Sequence, residues 1–274
     1  MQETKKNATN TVDDDDLVKK LNITDPFIFT SVFSDPKYAK PLLETFLHIK
    51  IERLEVSAEV QKQVDKKKKS VRFDVYAKDD GRIFDVEMQI RNYSNLALRS
   101  RYYISMNDAD QVKAGVRYNS LPESYVIFFC PFDPLERGLP MYDLVLCDRS
   151  NKNCEIDDRT HRIFYNFKEY LTAAKEKPIQ NYLRYFATGE VKDEQTKAVD
   201  EQVKQYRKSF RSREGTNVTL GDMLEDAKEE GRAEGLASGE QERQALQDEN
   251  AQLKAEIAVL RAGHVFDVQT EYKP

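Results

Sequence analysis

Carboxylate side chains recur on the polar faces of two neighbouring segments that alternate between apolar and polar residues. Asp74 lies on the polar face of residues 71–77, and Asp85 and Glu87 lie on that of residues 82–90. Alternation with a period of two predicts β-strands. Carboxylates gathered on adjacent strands are the oxygen ligands that a divalent cation such as Mg²⁺ prefers.

The register of these strands decides which carboxylates face each other. Asp80-Gly81 between the two segments is a strong hairpin signal, and with it as a two-residue turn Asp74 falls opposite Glu87. A register two residues away would place Asp74 opposite Asp85 instead. Either pairing sets two carboxylates about 4.5–5.5 Å apart at Cβ, where like charges are destabilising.

A divalent cation would compensate this repulsion, because Mg²⁺ is bound by one or two carboxylates together with water and substrate phosphates. Such a cation can polarise a phosphoryl oxygen, generate hydroxide and neutralise charge on a leaving oxygen. Alternatively, the carboxylates are solvated on a polar sheet face and Arg72 neutralises them. The spacing alone leaves both interpretations open.

Helices and further strands are predicted around the hairpin. Helical spacing runs from Asp25 to Ile49 with breaks at Pro36 and Pro41, and Asp25 is expected to cap the first helix. Strands are predicted at 54–61, 124–131, 141–147 and 160–167, and the segment 124–131 is expected to be central because it is apolar throughout. Helices are predicted at 95–118 and within 168–212, the first with Leu98, Tyr102, Met106 or Ser105, Ala109 and Val112 on one side.

The C-terminal segment has the spacing of a coiled coil. Leucine at d positions and Asn or Ile at a positions predict a long helix that pairs with a second copy, because a single Asn at an a position fixes register in parallel dimers. We therefore expect a homodimer through this helix. The repeat consists of Leu246, Asn250, Leu253, Ile257 and Leu260.

Composition excludes several classes of protein. The chain has 274 residues and a net charge of −5; residues 191–274 hold 13 basic and 18 acidic residues, and residues 1–190 hold 30 of each. No apolar run approaches the roughly 18 residues of a membrane helix, and no signal-type segment opens the chain, so we expect a cytoplasmic protein without membrane contact. Three Cys and three His without paired spacing argue against zinc or a disulfide framework.

Asp74 followed by Glu87-Met88-Gln89 after a hairpin resembles the PD-(D/E)XK nuclease signature, with Gln89 in the place of Lys. From about residue 22 to 240 the chain is similar to the Rpn-type recombination-promoting nuclease and transposase family. The elements that carry the resemblance occur in order: DPFIFTSVF from Asp25, FDVEMQ from Phe84, RSRYY from Arg99, QVKAGVRY from Gln111, IFFCPFDP from Ile127, and a Gly-spaced C-terminal helix.

The resemblance implies a restriction-endonuclease-like α/β fold, a mixed sheet flanked by helices, followed by a helical region and a C-terminal coiled-coil helix. It also implies a DNA endonuclease that uses Mg²⁺ or Mn²⁺ and is linked to recombination or transposition of mobile elements. The expected organisation is a disordered polar tail at 1–20, the nuclease-like domain at 21–170, a helical extension at 171–220, the long helix at 221–263 and a tail at 264–274.

The resemblance also assigns roles to individual residues. Asp74 and Glu87 would be metal ligands, and Glu44 on an early helix a further ligand. Gln89 would orient the attacking water or contact the scissile phosphate in place of the signature Lys. An amide carries no charge and is no general acid or base at neutral pH, so this substitution bears directly on catalysis.

Contacts with DNA would come from basic and aromatic residues near the hairpin. Arg99, four residues before Tyr103 on a helix, could bind a phosphate with two parallel hydrogen bonds or form an ion pair with a carboxylate of the site. Lys67 and Lys68, within a run of four Lys, are further candidates for phosphate binding. The neutral body and Gln89 favour an alternative function, a catalytically inactive nuclease fold that binds DNA or another protein.

Overall fold

The protein is represented by a computed structural model that describes residues 21–62, 71–111, 115, 117–173 and 176–211, together with residues 247, 251, 253, 254 and 257. The residues from 21 to 211 in this set belong to one compact unit. Lys67 and Lys68 lie outside the described residues, as do the two terminal tails and most of the predicted coiled coil.

Six strands form one mixed sheet in the order β1-β2-β3-β4-β6-β5. The pairs β1–β2, β2–β3 and β5–β6 are antiparallel, and β3–β4 and β4–β6 are parallel. The apolar strand β4 is central, as predicted. The strands are β1 (Glu55–Lys62), β2 (Val71–Asp79), β3 (Arg82–Met88), β4 (Glu123–Cys130), β5 (Met141–Leu144) and β6 (Thr160–Asn166).

The β2–β3 hairpin has the first of the two registers considered above. Asp79 pairs with Arg82, so Asp80 and Gly81 form the two-residue turn. Gly81 has a φ of 79°, a left-handed conformation that glycine adopts without steric cost. Arg82 donates from Nε to Asp79 Oδ1 at 2.9 Å, which ties the two ends of the turn together.

Two helices precede the strands, one lies between β3 and β4, and three follow β6. They are α1 (Pro26–Phe33), α2 (Pro36–Leu47), α3 (Leu96–Gln111), α4 (Tyr170–Ala173), α5 (Lys177–Thr188) and α6 (Glu194–Arg211), with 3₁₀ turns at Tyr118–Ser120 and Phe167–Glu169. Asp25 caps α1, as predicted, by accepting from the amides of Phe27 at 3.0 Å and Ile28 at 3.3 Å. The break at Pro36 is confirmed, but the break at Pro41 is wrong. Pro41 lies inside α2, where the carbonyl that loses its helical partner belongs to Lys37, an exposed residue.

The two faces of the sheet are covered by different helices. On one face, the ring of Phe129 on β4 contacts Phe46 of α2 at 4.9 Å and Phe186 of α5 at 5.1 Å between centroids. On the other face, the neighbouring Phe128 lies 6.0 Å from the ring of Tyr103 of α3. Successive residues of β4 therefore anchor opposite layers, and α3 packs on the face that carries Glu87.

Helix α3 buries a different side from the one predicted. Of the residues predicted to share one side, Leu98 and Tyr102 are 61% and 37% exposed, whereas Met106 is buried. The helix is described from Leu96 to Gln111, and it does not continue to residue 118 because Gly115 and Arg117 are not helical; Val112 lies outside the described residues. Polar residues occupy part of the buried side, and Asn107 donates to Ser124 Oγ of β4 at 3.4 Å. The buried side also carries apolar residues that pack with Phe73, Val126 and Phe128 of the sheet. Apolar residues therefore lie on two sides of this helix, and spacing alone did not distinguish them. Its buried residues are Leu96, Ser100, Tyr103, Ile104, Met106 and Asn107.

The mixed sheet flanked by helices confirms the predicted α/β fold of the restriction-endonuclease-like kind. Across the part of the chain that the structure describes, no helix has the length and apolar character required to cross a bilayer.

Truncation of Phe129 tests the two-layer packing. Phe129→Ala should lower the free energy of unfolding by about 3–5 kcal/mol, because it empties a fully buried site between α2, α5 and β6. Leu98→Ala on α3 should change it by less than about 0.5 kcal/mol, because Leu98 is largely exposed. Urea unfolding of both variants measures the contrast, and a large loss from Leu98→Ala would contradict the observed orientation of α3.

Candidate active site

At the end remote from their turn, strands β2 and β3 are joined by hydrogen bonds from backbone amides to side-chain carboxylates. The paired register runs as far as Val75 and Val86. Beyond it, the amide of Asp74 donates to Glu87 Oε1 at 3.1 Å, and the amide of Met88 donates to Asp74 Oδ2 at 3.1 Å. Each carboxylate is thus held by the main chain of the opposite strand, and the structure brings Asp74 and Glu87 together across the hairpin.

The two carboxylates lie in surroundings that disfavour negative charge. Glu87 is 2% exposed and Asp74 is partly exposed. Burial, followed by the charge of Glu87, raises the pKa of Asp74 well above its usual value. Burial also raises the pKa of Glu87, against the opposing charge of Arg99. The pair therefore needs a positive partner to stay ionised.

Arg99 of α3 supplies positive charge to this pair. Its Nη2 donates to Glu87 Oε2 at 2.7 Å, its Nε donates to the hydroxyl of Tyr103 at 2.6 Å, and its Nη1 donates to Gln89 Oε1. The guanidinium carbon lies 4.9 Å from the ring centroid of Tyr103 and 5.5 Å from that of Phe128. Of the two roles considered for Arg99, this structure contains the ion pair with a carboxylate of the site.

Gln89 has both ends of its amide engaged within the chain. Its Oε1 accepts from Arg99, and its Nε2 donates to the carbonyl of Arg91 at 2.6 Å. This orientation is fixed by chemistry, since a guanidinium only donates and a carbonyl only accepts. Gln89 is 7% exposed, so its side chain is a buried link between β3 and Arg99.

Tyr103 is 5% exposed and supports Arg99. Burial raises the pKa of Tyr103, so its side chain stays a neutral hydroxyl that accepts from the guanidinium. The predicted DNA-contacting pair Arg99 and Tyr103 is therefore one hydrogen-bonded unit with its aromatic member buried.

Asp85 is a third carboxylate of this site, which sequence reasoning considered only as the partner of Asp74 in the alternative register. It pairs with Tyr76 of β2 and Val126 of β4 and is 0% exposed. As an ionised group it meets no donor among the described residues, but as a carboxylic acid it can donate to the neighbouring Glu87. Burial, followed by the charge of Glu87, raises the pKa of Asp85 well above its usual value. Alternation placed Asp85 on the same face as Glu87, but the cover provided by α3 is a tertiary feature that strand spacing does not contain.

Glu44 lies apart from this group. Its Oε1 accepts from the amide of Ile51 at 2.9 Å, and it lines a groove together with His48 and Glu176. Helix α2, which carries Glu44, packs through Phe46 on the opposite face of the sheet from Glu87. The structure does not bring Glu44 to the hairpin carboxylates.

The donor set fits a divalent cation held by two carboxylates. No group of three or more His, Cys, Asp or Glu side chains is arranged to hold a metal ion within the described part of the chain. Asp74 and Glu87 suffice in number for Mg²⁺, which keeps several water ligands. Their oxygens each carry two lone pairs, so an oxygen that accepts one hydrogen bond can still bind a cation.

Neutralising Asp85 tests its buried state. Because its folded pKa is raised, the folded protein keeps a proton that the unfolded chain loses above about pH 4, so stability falls as pH rises toward the folded pKa. Asp85→Asn removes this pH-dependent loss of stability. The free energy of unfolding of the variant, relative to that of wild type, should therefore rise by up to about 1.4 kcal/mol per pH unit between about pH 4 and the folded pKa of Asp85. Urea unfolding at several pH values measures it, with Asp80→Asn in the exposed turn as control. A difference between Asp85→Asn and wild type that stays constant with pH would contradict a protonated Asp85.

Comparison with known proteins adds one finding to this geometry. A family model described as PD-(D/E)XK nuclease family transposase matches residues 23–229. Searches of curated proteins and of solved structures gave no match. The matched segment contains the whole sheet, the hairpin carboxylates and Arg99, and it covers about three quarters of the sequence. The chain therefore belongs to the PD-(D/E)XK nuclease family transposases.

Proposed function

We propose that the protein is a metal-dependent DNA endonuclease that acts in the cytoplasm in recombination or transposition of mobile elements. The observation that carries this proposal is the cross-strand pair Asp74 and Glu87, each held by the main chain of the other's strand. Membership of a nuclease family supports it, because such a family implies DNA binding and its nucleases generally use divalent metals.

Asp74 and Glu87 would hold Mg²⁺ or Mn²⁺. When bound, a divalent cation supplies Lewis acidity toward a phosphoryl oxygen and lowers the pKa of a water ligand. The hairpin fixes both carboxylates before any ligand arrives, since their hydrogen bonds are to backbone amides rather than to mobile side chains. Asp74 is partly exposed, so solvent and substrate can reach this pair from its side.

The segment that follows β3 offers a surface suited to DNA. Residues 90–107 contain three Arg and no Asp or Glu, in a chain with 48 acidic residues. Arg91 and Arg101 are exposed, as is Tyr93 at 58%. Arginine attracts phosphates, and an exposed aromatic ring can stack on an unpaired base. This segment begins directly after Gln89, so DNA bound along it would lie beside the carboxylates.

Plasmid cleavage tests the function and the carboxylates together. Wild-type protein should nick supercoiled plasmid in Mg²⁺ or Mn²⁺ and not in EDTA. Asp74→Asn and Glu87→Gln keep side-chain shape and should lower the rate by about 100-fold or more, because metal binding supplies several kcal/mol of transition-state stabilisation. Asp80→Asn, in the exposed turn of the same hairpin, should cleave at the wild-type rate.

The same plasmid assay distinguishes the nuclease from the alternative function, a catalytically inactive fold that binds DNA. One observation favours that alternative, namely that Arg99 already neutralises Glu87. Wild-type protein that binds labelled DNA but leaves plasmid intact in both metals would establish a non-catalytic DNA-binding fold. Equal cleavage by wild type, Asp74→Asn and Glu87→Gln would place the active site elsewhere.

We also propose a homodimer held by the C-terminal heptads, since two active sites in one particle can cut both strands. Leu253 and Ile257, two heptad positions that the structure describes, are helical and 49% and 48% exposed. Charged residues there would lose the apolar contact of a coiled coil. The double variant Leu253→Arg/Ile257→Arg should sediment as a monomer at micromolar concentration, whereas wild type should sediment as a dimer. A wild-type monomer would overturn the proposed homodimer.

A further inference from the structure

We propose that Arg99 delivers from helix α3 the positive charge that Lys supplies in the nuclease signature, and that Gln89 positions Arg99 rather than acting on substrate. This inference rests on the proposed nuclease function and deepens it. It changes the role of Gln89 implied by the family resemblance, because it moves the contact with the scissile phosphate from Gln89 to Arg99.

The contacts of Gln89 support a positioning role. Its carbonyl oxygen accepts from Arg99 and its amide nitrogen donates to the carbonyl of Arg91. With 7% of its surface exposed, the side chain is enclosed by the groups that it binds. A neutral amide at this place gives the guanidinium an acceptor, whereas a Lys would set a second positive charge against Arg99.

Three side chains fix the orientation of Arg99. Nε, Nη1 and Nη2 each donate one hydrogen bond, to Tyr103, Gln89 and Glu87 respectively. A guanidinium has five N–H groups, so one N–H on Nη1 and one on Nη2 remain beyond these three contacts. The side chain is 30% exposed, so part of it faces solvent, and these two N–H groups are the ones that a phosphate would take.

Glu87 uses different oxygens for its contact with the Asp74 side of the site, where a cation would bind, and for its ion pair with Arg99. Its Oε1 accepts from the amide of Asp74, and its Oε2 accepts from Arg99. The side of the carboxylate that faces Asp74 is therefore distinct from the side that faces the guanidinium. Cation binding on the first side does not require Arg99 to leave the second.

The chemistry of Arg99 defines what it does for the reaction. A guanidinium stays protonated throughout the accessible pH range, so it transfers no proton. It stabilises the negative charge that develops on phosphoryl oxygens, and its fixed orientation removes the cost of arranging a donor during the reaction. Arg99 thus performs the charge-stabilising role of a signature Lys without a base role.

Moving the positive charge from position 99 to position 89 by substitution tests this inference. Arg99→Met keeps an apolar stem and should lower single-turnover cleavage at saturating DNA by at least about 100-fold, the effect of losing one preorganised donor. Gln89→Lys/Arg99→Met restores a Lys at the signature position and should recover at least about tenfold of that loss. Arg53→Met, an exposed Arg near β1 that pairs with Glu55, should cleave at the wild-type rate.

A second readout does not depend on cleavage. In metal-free buffer, a short DNA duplex should shift the side-chain ¹H–¹⁵N signals of Arg99, which are assigned by their absence in Arg99→Met. Gln89→Leu should keep the fold by circular dichroism but broaden or move these signals before DNA is added, because Arg99 loses one of its three acceptors.

The outcomes separate the inference from the proposed function. Cleavage by Arg99→Met at the wild-type rate, or no recovery in a folded Gln89→Lys/Arg99→Met protein, would overturn the inference while leaving a nuclease. A wild type that never cleaves would overturn the proposed function, and the Arg99 signals would then decide the inference. A shift with DNA supports contact with phosphate, and unchanged signals refute it.

Discussion

The site depends on the guanidinium of Arg99, which lies against a group of buried carboxylates. Glu87 and Asp85 are 2% and 0% exposed, and Asp74 is held close to Glu87 through the backbone. A buried carboxylate without a partner costs several kcal/mol, and removing one member of a buried ion pair costs about 3–5 kcal/mol. Arg99 therefore makes it possible for Glu87 to be ionised beneath a helix.

This constraint accounts for the unusual composition of α3. The sheet face beneath α3 is largely apolar but also carries Asp85 and Glu87. Helix α3 meets these polar groups with polar residues of its own, namely Ser100, Asn107 and Arg99. The opposite face of the sheet has no comparable demand and is sealed by aromatic rings around Phe129. The rigid apolar layer fixes β4, and β4 in turn fixes β3 and its carboxylates through parallel pairing.

The hairpin register and the central place of β4 were predictable from the sequence, whereas the docking of α3 was not. The turn at Asp80-Gly81 determined the hairpin register, and the register determined that Asp74 faces Glu87, because both depend on counting residues along two strands. The buried side of α3 could not be read from its apolar spacing, since apolar residues lie on two sides of this helix. The state of Asp85 and the partners of Arg99 depend on where that helix docks, which strand alternation does not specify.

The change from Lys to Gln in the signature is best understood as a relocation of charge. Arg99 is already fixed in the site through Glu87 and Gln89, and a Lys at position 89 would set a second positive charge against it. A neutral amide removes that repulsion and gives the guanidinium an acceptor. Gln89 and Arg99 therefore form one unit, in which the choice of residue at either position follows from the residue at the other.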